Sequence, residues 1–218
     1  MKISVVIPTK NEEKNLPTVL KELPKYISEI IVVDGHSTDN TVKIAKRYGA
    51  KVLYENIGKG YALRRGMEAA RGDIIITMDA DCSHRCVEIG LLVEAIKSGF
   101  DIVMGSRFIQ GGGTEDMPWL RVAGNKMFVR LVNVLWGTNY SDLCYGYRAF
   151  RKTALKKLQL KSDGFGIETE IAIKAAKKHL RTIEIPSYEK VRNHGEGKLQ
   201  TFTDGFKILK TILNELVS

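Results

Sequence analysis

Over the first 105 residues, five short apolar runs alternate with four amphipathic stretches, and no other feature restricts the fold as much. Ile3–Ile7, Glu29–Val33, Lys51–Tyr54, Ile74–Met78 and Ile102–Met104 read as strands, being short, β-branched and bounded by Pro, Gly or Asp. Between them Glu12–Leu23, Thr38–Tyr48, Lys59–Ala70 and Val87–Lys97 read as helices, with apolar residues at spacings such as Leu16, Val19, Leu20 and Leu23. This pattern predicts an α/β fold, a mostly parallel central sheet with helices on both faces. Ligands of such sheets bind beyond the carboxyl ends of the strands, so the polar residues that follow each strand are the candidates for chemistry.

After Gly105 the texture changes. Gln110–Gly113 is a Gly-rich loop, Trp119–Trp136 and Gly166–Lys178 read as helices, and Thr182–Ile185 as a strand ending at Pro186. Tyr188–Lys198 is a polar, basic loop, and Thr201–Val217 an amphipathic helix with Phe202, Phe206, Leu209, Ile212, Leu213 and Leu216 near one face. With no repeat and no linker, one domain over residues 1–218 is the expected organisation. The net charge of +9 is unevenly placed. Residues 1–120 hold 16 basic and 16 acidic side chains, and residues 121–218 hold 18 and 9. The excess in the second part points to an anionic partner there. No apolar run reaches the roughly 18 residues of a membrane span. The first residues read as a strand rather than a signal peptide, and three cysteines are too few for a disulfide scaffold, so a cytoplasmic location is expected.

The segment Ile74-Ile-Ile-Thr-Met-Asp79-Ala80-Asp81 carries the strongest chemical signal. An apolar strand ends in two carboxylates spaced i, i+2, which point the same way on extended chain. Close carboxylates repel unless a cation lies between them, and a divalent ion with oxygen ligands, Mg2+ or Mn2+, suits carboxylates that also meet a diphosphate. A second strand end, Ile30-Ile-Val-Val-Asp34-Gly-His-Ser37-Thr-Asp39, offers Asp34 as an acceptor for a base or ribose, with Ser37 and Asp39 read as helix caps. Pro8-Thr-Lys-Asn-Glu12 is a third. Gly58-Lys59-Gly60 precedes a helix and suits a phosphate, although three residues make no P-loop. Cys82, His84 and Cys86 lack a fourth ligand at zinc spacing, and a zinc site is not expected.

These motifs occur in an order that resembles the family 2 glycosyltransferases: Pro8-Thr-Lys-Asn-Glu12, Val33-Asp34-Gly-His-Ser37-Thr-Asp39, Lys59-Gly60, Asp79-Ala-Asp81, Gly105-Ser-Arg107-Phe and Arg192-Asn-His-Gly195-Glu-Gly-Lys198. Within that family the chain is most similar to dolichyl-phosphate mannose synthases and related polyprenyl-phosphate enzymes. The resemblance implies a GT-A fold, with residues 1–106 as the nucleotide-sugar half and 107–218 as the acceptor half. It implies an inverting, metal-dependent transfer of a hexose, mannose foremost, from GDP-mannose or a UDP-hexose to a polyprenyl phosphate. By the same resemblance Pro8, Lys10 and Glu12 would contact the base region, and Val33 and Gly35 would line that pocket. Asp79, Ala80 and Asp81 would meet ribose, diphosphate and metal, with Ser83 at the third ligand position. Arg107 would face the acceptor, and Arg192 and Lys198 would close over the diphosphate. The chain has Lys10 where the family often has Tyr, Gly35 where it commonly has a second Asp, and Ser83 where a Gln is frequent. It lacks the C-terminal transmembrane helices of some relatives, so a soluble type touching the membrane peripherally is expected.

A phosphate acceptor is already ionised at neutral pH and needs cations to position it, for which the planar fork of Arg107 is apt. A hydroxyl acceptor, on a glycan or small molecule, would need a base. Asp142 is the candidate, while Glu168 and Glu170 fit the N-terminus of their helix. Trp119–Trp136 and Thr201–Val217 suit either burial in the core, the commoner fate of such stripes, or a lipid-facing surface. A nucleic-acid-binding module would leave Asp79 and Asp81 unexplained, so no nucleic-acid partner is expected. A sugar-nucleotidyltransferase would need a Gly-rich signature near the first strand, and none is found.

Overall fold

The structure, a computed structural model, describes residues 1–197 and 200–217. Its elements run β1 (Ile3–Thr9), α1 (Leu16–Glu22), β2 (Glu29–Asp34), α2 (Thr41–Arg47), β3 (Lys51–Tyr54), α3 (Lys59–Ala69), β4 (Ile74–Thr77), α4 (Ile89–Lys97) and β5 (Ile102–Ser106). They continue with β6 (Gly113–Thr114), α5 (Trp119–Trp136), β7 (Arg148–Arg151), α6 (Lys152–Leu158), α7 (Ile167–Lys177), β8 (Thr182–Pro186), β9 (Tyr188–Glu189) and α8 (Thr201–Leu216).

Seven strands form one sheet in the order β3-β2-β1-β4-β7-β5-β8, and β6 pairs with β9 in a small second sheet. All neighbours in the large sheet are parallel except β7, which runs antiparallel between β4 and β5. The expected mostly parallel sheet is therefore present, and it draws strands from both sides of residue 106. Each face is buried. Val5, Ile7, Val32, Ile74 and Ile76 point into one apolar cluster, and Val6, Ile31, Val33 and Ile75 into the other. Burial on both sides is why these strands read as continuous apolar runs. Helix α3 lies close against the sheet because Gly66 has no side chain: a Cβ there would sit 2.3 Å from Val6 Cγ1. The chain builds β2 and β3 on one side of β1 and then returns to place β4 on the other, a reversal that opens a crevice at the carboxyl ends of these strands.

Several boundaries differ from the sequence expectation. Helix α1 starts at Leu16 rather than Glu12, because residues 12–15 form a turn closed by Asn15 N–H and Leu16 N–H on the Glu12 carbonyl. Helix α2 starts at Thr41. Ser37 does not cap it but bonds Asp34, whereas Asp39 Oδ1 accepts Thr41 N–H at 2.9 Å. The chain from Cys86 to Glu88 is a 3₁₀ turn leading into α4. Strand β7, with charge at both ends, the short helix α6 and the two-residue strands β6 and β9 are additions to the expected set.

Candidate active site

The crevice is a cavity of about 430 Å³. Its walls come from the residues that follow β1, β2, β4 and β5, from the start of α3, and from α5, the residues around Phe165 and Glu168, and the loop and helix after β9. Pro8, Lys10, Glu12, Val33 and Gly35 line one end, and Asp79, Ala80, Asp81, Arg107 and Arg192 line it further along. Three expected residues, Asp34, Ser83 and Asp142, are buried and not part of this wall, and the expected Lys198 lies outside the described residues.

The two carboxylates at the end of β4 are held differently. Beyond Thr77, whose hydroxyl donates to the Gly146 carbonyl at 2.8 Å, the chain turns sharply through Cys82 at φ 70°. Asp79 N–H donates to His84 Nδ1 at 3.0 Å, which places the proton of the neutral ring on Nε2. His84 stacks on Tyr147 with centroids 4.7 Å apart, and burial lowers its pKa, partly opposed by Asp79 and Asp81. The Asp79 carboxylate lies 2.9 Å from Lys59 Nζ, which also reaches Glu168 Oε1 at 3.3 Å. Burial pushes Lys59 down and Asp79 up, but their mutual attraction, with Glu168 acting on Lys59, outweighs this and keeps both charged. Asp81 Oδ1 accepts the Ser83 hydroxyl at 2.6 Å, and Oδ2 takes Arg192 at 2.7 Å. Ser83 thus orients Asp81 from behind and does not face the cavity.

The Gly-Lys-Gly motif does not cradle a phosphate. A Cβ at Gly60 would lie 2.6 Å from the carbonyl oxygens of Gly164 and Ser162, and Tyr61 N–H donates to the Asp163 carbonyl at 3.1 Å. The glycines admit that loop to the start of α3, and Lys59 is delivered to Asp79. Asp34 is likewise structural. It is fully buried and accepts Thr9 Oγ1 at 3.1 Å, Ser37 N–H at 2.8 Å and Ser37 Oγ at 2.6 Å. It fastens the ends of β1 and β2 under the pocket. Gly35 leaves room for the stem of Lys10, since a Cβ there would lie 3.4 Å from Lys10 Cβ.

Arg107 is held between two carboxylates. Nε donates to Asp142 Oδ2 at 2.7 Å, NH2 to Asp142 Oδ1 at 2.9 Å, and NH1 to both oxygens of Glu189 at 3.1 Å. Its guanidinium carbon lies 4.6 Å from the centre of the Tyr145 ring. Asp142 has no exposed surface, so the candidate base is a fixed counter-charge with no access to a substrate proton. Sequence reasoning missed Glu189, Arg121, Asp116 and Phe165, all on the wall. Only the lone Arg121 at the start of an amphipathic stretch gave a signal that could have been used.

The donor set suits a hard divalent ion. Asp79 and Asp81 offer only oxygen, and Ser83, whose hydroxyl is given to Asp81, is not the third ligand the resemblance implied. Among the described residues no group of three or more His, Cys, Asp or Glu side chains forms a ready metal site. Asp81, with Asp79 beside it, is the group that would hold such an ion. Cys82 and Cys86 face α1 and its approach, at 3.6 Å from the Asn15 carbonyl and 3.9 Å from that of Val19, and burial pushes their thiols up to about 11 and about 12. Both are therefore protonated thiols at neutral pH.

The sequence matches Glycosyl transferase family 2 over residues 4–159. It is 35% identical over 212 residues to the dolichol-phosphate mannosyltransferase of Pyrococcus furiosus, covering 92% of this chain and 60% of that protein, so it spans about three fifths of that relative's length. It is 32% identical over 215 residues to the dolichyl-phosphate hexose transferase of Haloferax volcanii, covering 97% of this chain and 92% of that one. The fold superposes on glucosyl-3-phosphoglycerate synthase from Mycobacterium tuberculosis, solved with Mn2+, UDP-glucose and phosphoglyceric acid. The TM-score is 0.76 at 25% identity, over 99% of this chain and 79% of that one. The seven-stranded sheet with its flanking helices is a GT-A fold. With the family's motifs gathered on one crevice and the match spanning most of the chain, this protein belongs to glycosyl transferase family 2.

Proposed function

We propose that this protein transfers a hexose, mannose foremost, from a nucleotide-diphosphate sugar to a polyprenyl phosphate with inversion at the anomeric carbon. The observation that carries this reading is that the two helices that line the cavity, α5 and α8, also carry exposed large apolar residues. Leu120, Thr201, Gly205 and Ile208 line the cavity, while Trp119, Phe202 and Phe206 beside them are 79, 81 and 70% exposed. The starts of α5 and α8 are tied there by Arg121 Nε–H on Thr201 Oγ1 at 3.1 Å. Exposed Lys126, Arg130, Lys207 and Lys210 edge the same helices. An apolar surface with a basic border suits the tail of a lipid phosphate and the face of an anionic membrane. Among the described residues no helix is long and apolar enough to cross a membrane, so the contact would be peripheral. The relatives named for dolichyl and polyprenyl phosphates support the acceptor class.

In this mechanism a phosphate oxygen of the acceptor attacks the anomeric carbon. The bond from that carbon to the donor diphosphate breaks, and its electron pair leaves with the diphosphate. No proton moves, so the burial of Asp142 under Arg107 costs nothing. Lys59 and Arg192 place positive charge beside the cavity carboxylates, and Arg192, with Lys198 beyond the described residues, would shield the departing charge. A divalent ion, Mg2+ or Mn2+, held at Asp81 and beside Asp79 would supply electrostatic stabilisation of that leaving group. Pro8, Lys10, Glu12, Val33 and Gly35 would receive the nucleoside.

A hydroxyl acceptor is the second reading. Asp116 favours it, being a carboxylate on the cavity wall whose pKa is raised by burial, Glu189 and Asp81, as a base requires. Incubation with GDP-mannose, UDP-glucose or UDP-N-acetylglucosamine, manganese and a short prenyl phosphate, followed by mass spectrometry, tests both. A prenyl-phosphate hexose that still forms in Asp116→Asn is the expected product. Transfer only to hydroxyl acceptors, abolished by Asp116→Asn, would replace the first reading with the second.

A further inference from the structure

Arg107 presents its charge to the cavity already neutralised, and its two counter-charges are not equivalent. Asp142 grips Nε and NH2 from a site with no exposed surface, between the N–H of Cys144 at 3.2 Å and that of Arg107 itself at 3.3 Å. Glu189 grips NH1 with both oxygens at 3.1 Å, lies on the cavity wall and keeps some exposure. It belongs to β9, whose partner β6 supplies the Thr114 hydroxyl that donates to Glu189. Tyr145 fixes the guanidinium from its face. Asp142 and the Tyr145 ring hold the arginine in place, and of its two counter-charges Glu189 is the one on the cavity wall.

We propose that Glu189 is a specificity-determining residue that stands in for the acceptor phosphate on Arg107 and is displaced when that phosphate binds. The inference rests on the polyprenyl-phosphate reading above. Its chemistry is an exchange of one oxyanion for another on a single guanidinium edge, with no bond made or broken. A phosphate offers more acceptor oxygens and more charge than a carboxylate, but a free phosphate in water gains little by the exchange. A phosphate carried by a prenyl chain gains the burial of that chain on the apolar surface beside the cavity, and this remote binding drives the exchange. Glu189 thereby raises the threshold for every phosphate at Arg107, and one carried on a prenyl chain meets it through the binding of that chain.

The test is steady-state kinetics of Glu189→Gln with farnesyl phosphate as acceptor and inorganic phosphate as competitor. Glutamine keeps an acceptor for Thr114 and removes the charge. The acceptor KM and the inhibition constant of inorganic phosphate are expected to fall on the order of tenfold, the strength of one charge-assisted contact, with donor KM and kcat within about twofold. Thr114→Val, which loosens Glu189 without altering its charge, is expected to lower both by a smaller factor. An acceptor KM that stays or rises in a normally melting Glu189→Gln enzyme overturns the inference and leaves the proposed function standing. A hundredfold loss of kcat at unchanged acceptor KM also overturns it, assigning Glu189 to a base instead. Failure of the parent enzyme to use any prenyl phosphate overturns both.

Discussion

Glu170 shows how a single carboxylate can make the stability of this fold depend on pH. It accepts Lys161 N–H at 2.7 Å, Ser162 N–H at 2.8 Å and Lys174 Nζ at 2.6 Å. Burial pushes its carboxyl up, but these bonds outweigh it and hold it below the ordinary 4.5. A folded pKa below the unfolded one contributes stability above the unfolded value, and this is lost as pH falls through the folded one. Urea unfolding of Glu170→Gln is therefore expected to show a smaller drop in stability from about pH 7 to about pH 3 than the parent. An equal drop would mean that other carboxylates set the acid limb. Carboxylates also show the limit of sequence reading. Asp34 and Asp79 have the same sequence signal, an acid just after a buried β-branched strand. Asp79 faces the cavity because Lys59 waits there, whereas Asp34 is turned inward by Thr9 and Ser37, partners that no local pattern marks. Glu189 had no signal at all, because its meaning comes from Arg107, 82 residues away.

Among the elements, β1, β2 and β4 were legible because burial on both faces demands apolar runs, and α5 was legible to its ends because Pro118 opens it and the left-handed Gly137 closes it. Strand β7 was not. Arg148-Ala-Phe-Arg151 carries charge at both ends, yet Arg148 is buried at the centre of the sheet. Its guanidinium is satisfied by three carbonyls, those of Tyr145 at 3.0 Å, Glu168 at 2.6 Å and Leu143 at 2.9 Å. Such a residue trades the apolar pattern for a hydrogen-bonded post that joins β7 to the start of α7. The junction of α3 with the 162–164 loop is tested by Gly60→Ala. The added methyl meets two backbone carbonyls at 2.6 Å, and the expected cost is about 1–3 kcal/mol of stability in denaturant unfolding. Weaker donor binding should follow, since Lys59 moves with the junction. Unchanged stability and binding would show that the loop yields freely.

At the scale of the whole molecule, the sheet supplies a rigid floor, and the second half of the chain supplies cations, the β6–β9 ribbon and two helices with unburied apolar faces. The sequence left open whether those helices serve the core or a lipid. Each helix sends one face into the core, through Phe128, Val132, Ile208 and Ile212, and leaves Trp119, Phe202 and Phe206 exposed, the residues that would meet a lipid in the proposed function. Phe202→Asp with Phe206→Asp is expected to change stability by no more than about 0.5 kcal/mol each, as for exposed positions. The same variant should lose flotation with anionic liposomes that the parent shows. Flotation that persists would move the membrane contact elsewhere.

The central claim is that the carboxylates at the end of β4 serve the diphosphate of a sugar donor, and Asp81→Asn tests it most directly. Among the described residues the Asp81 carboxylate is bound by Ser83, the turn backbone and Arg192, so its neutral isostere should fold as the parent does. Steady-state hexose transfer with manganese is expected to fall about a hundredfold to a thousandfold in kcat at an unchanged melting temperature, the loss of one charge-stabilising contact, roughly 3–4 kcal/mol. Turnover within about twofold of the parent would contradict it.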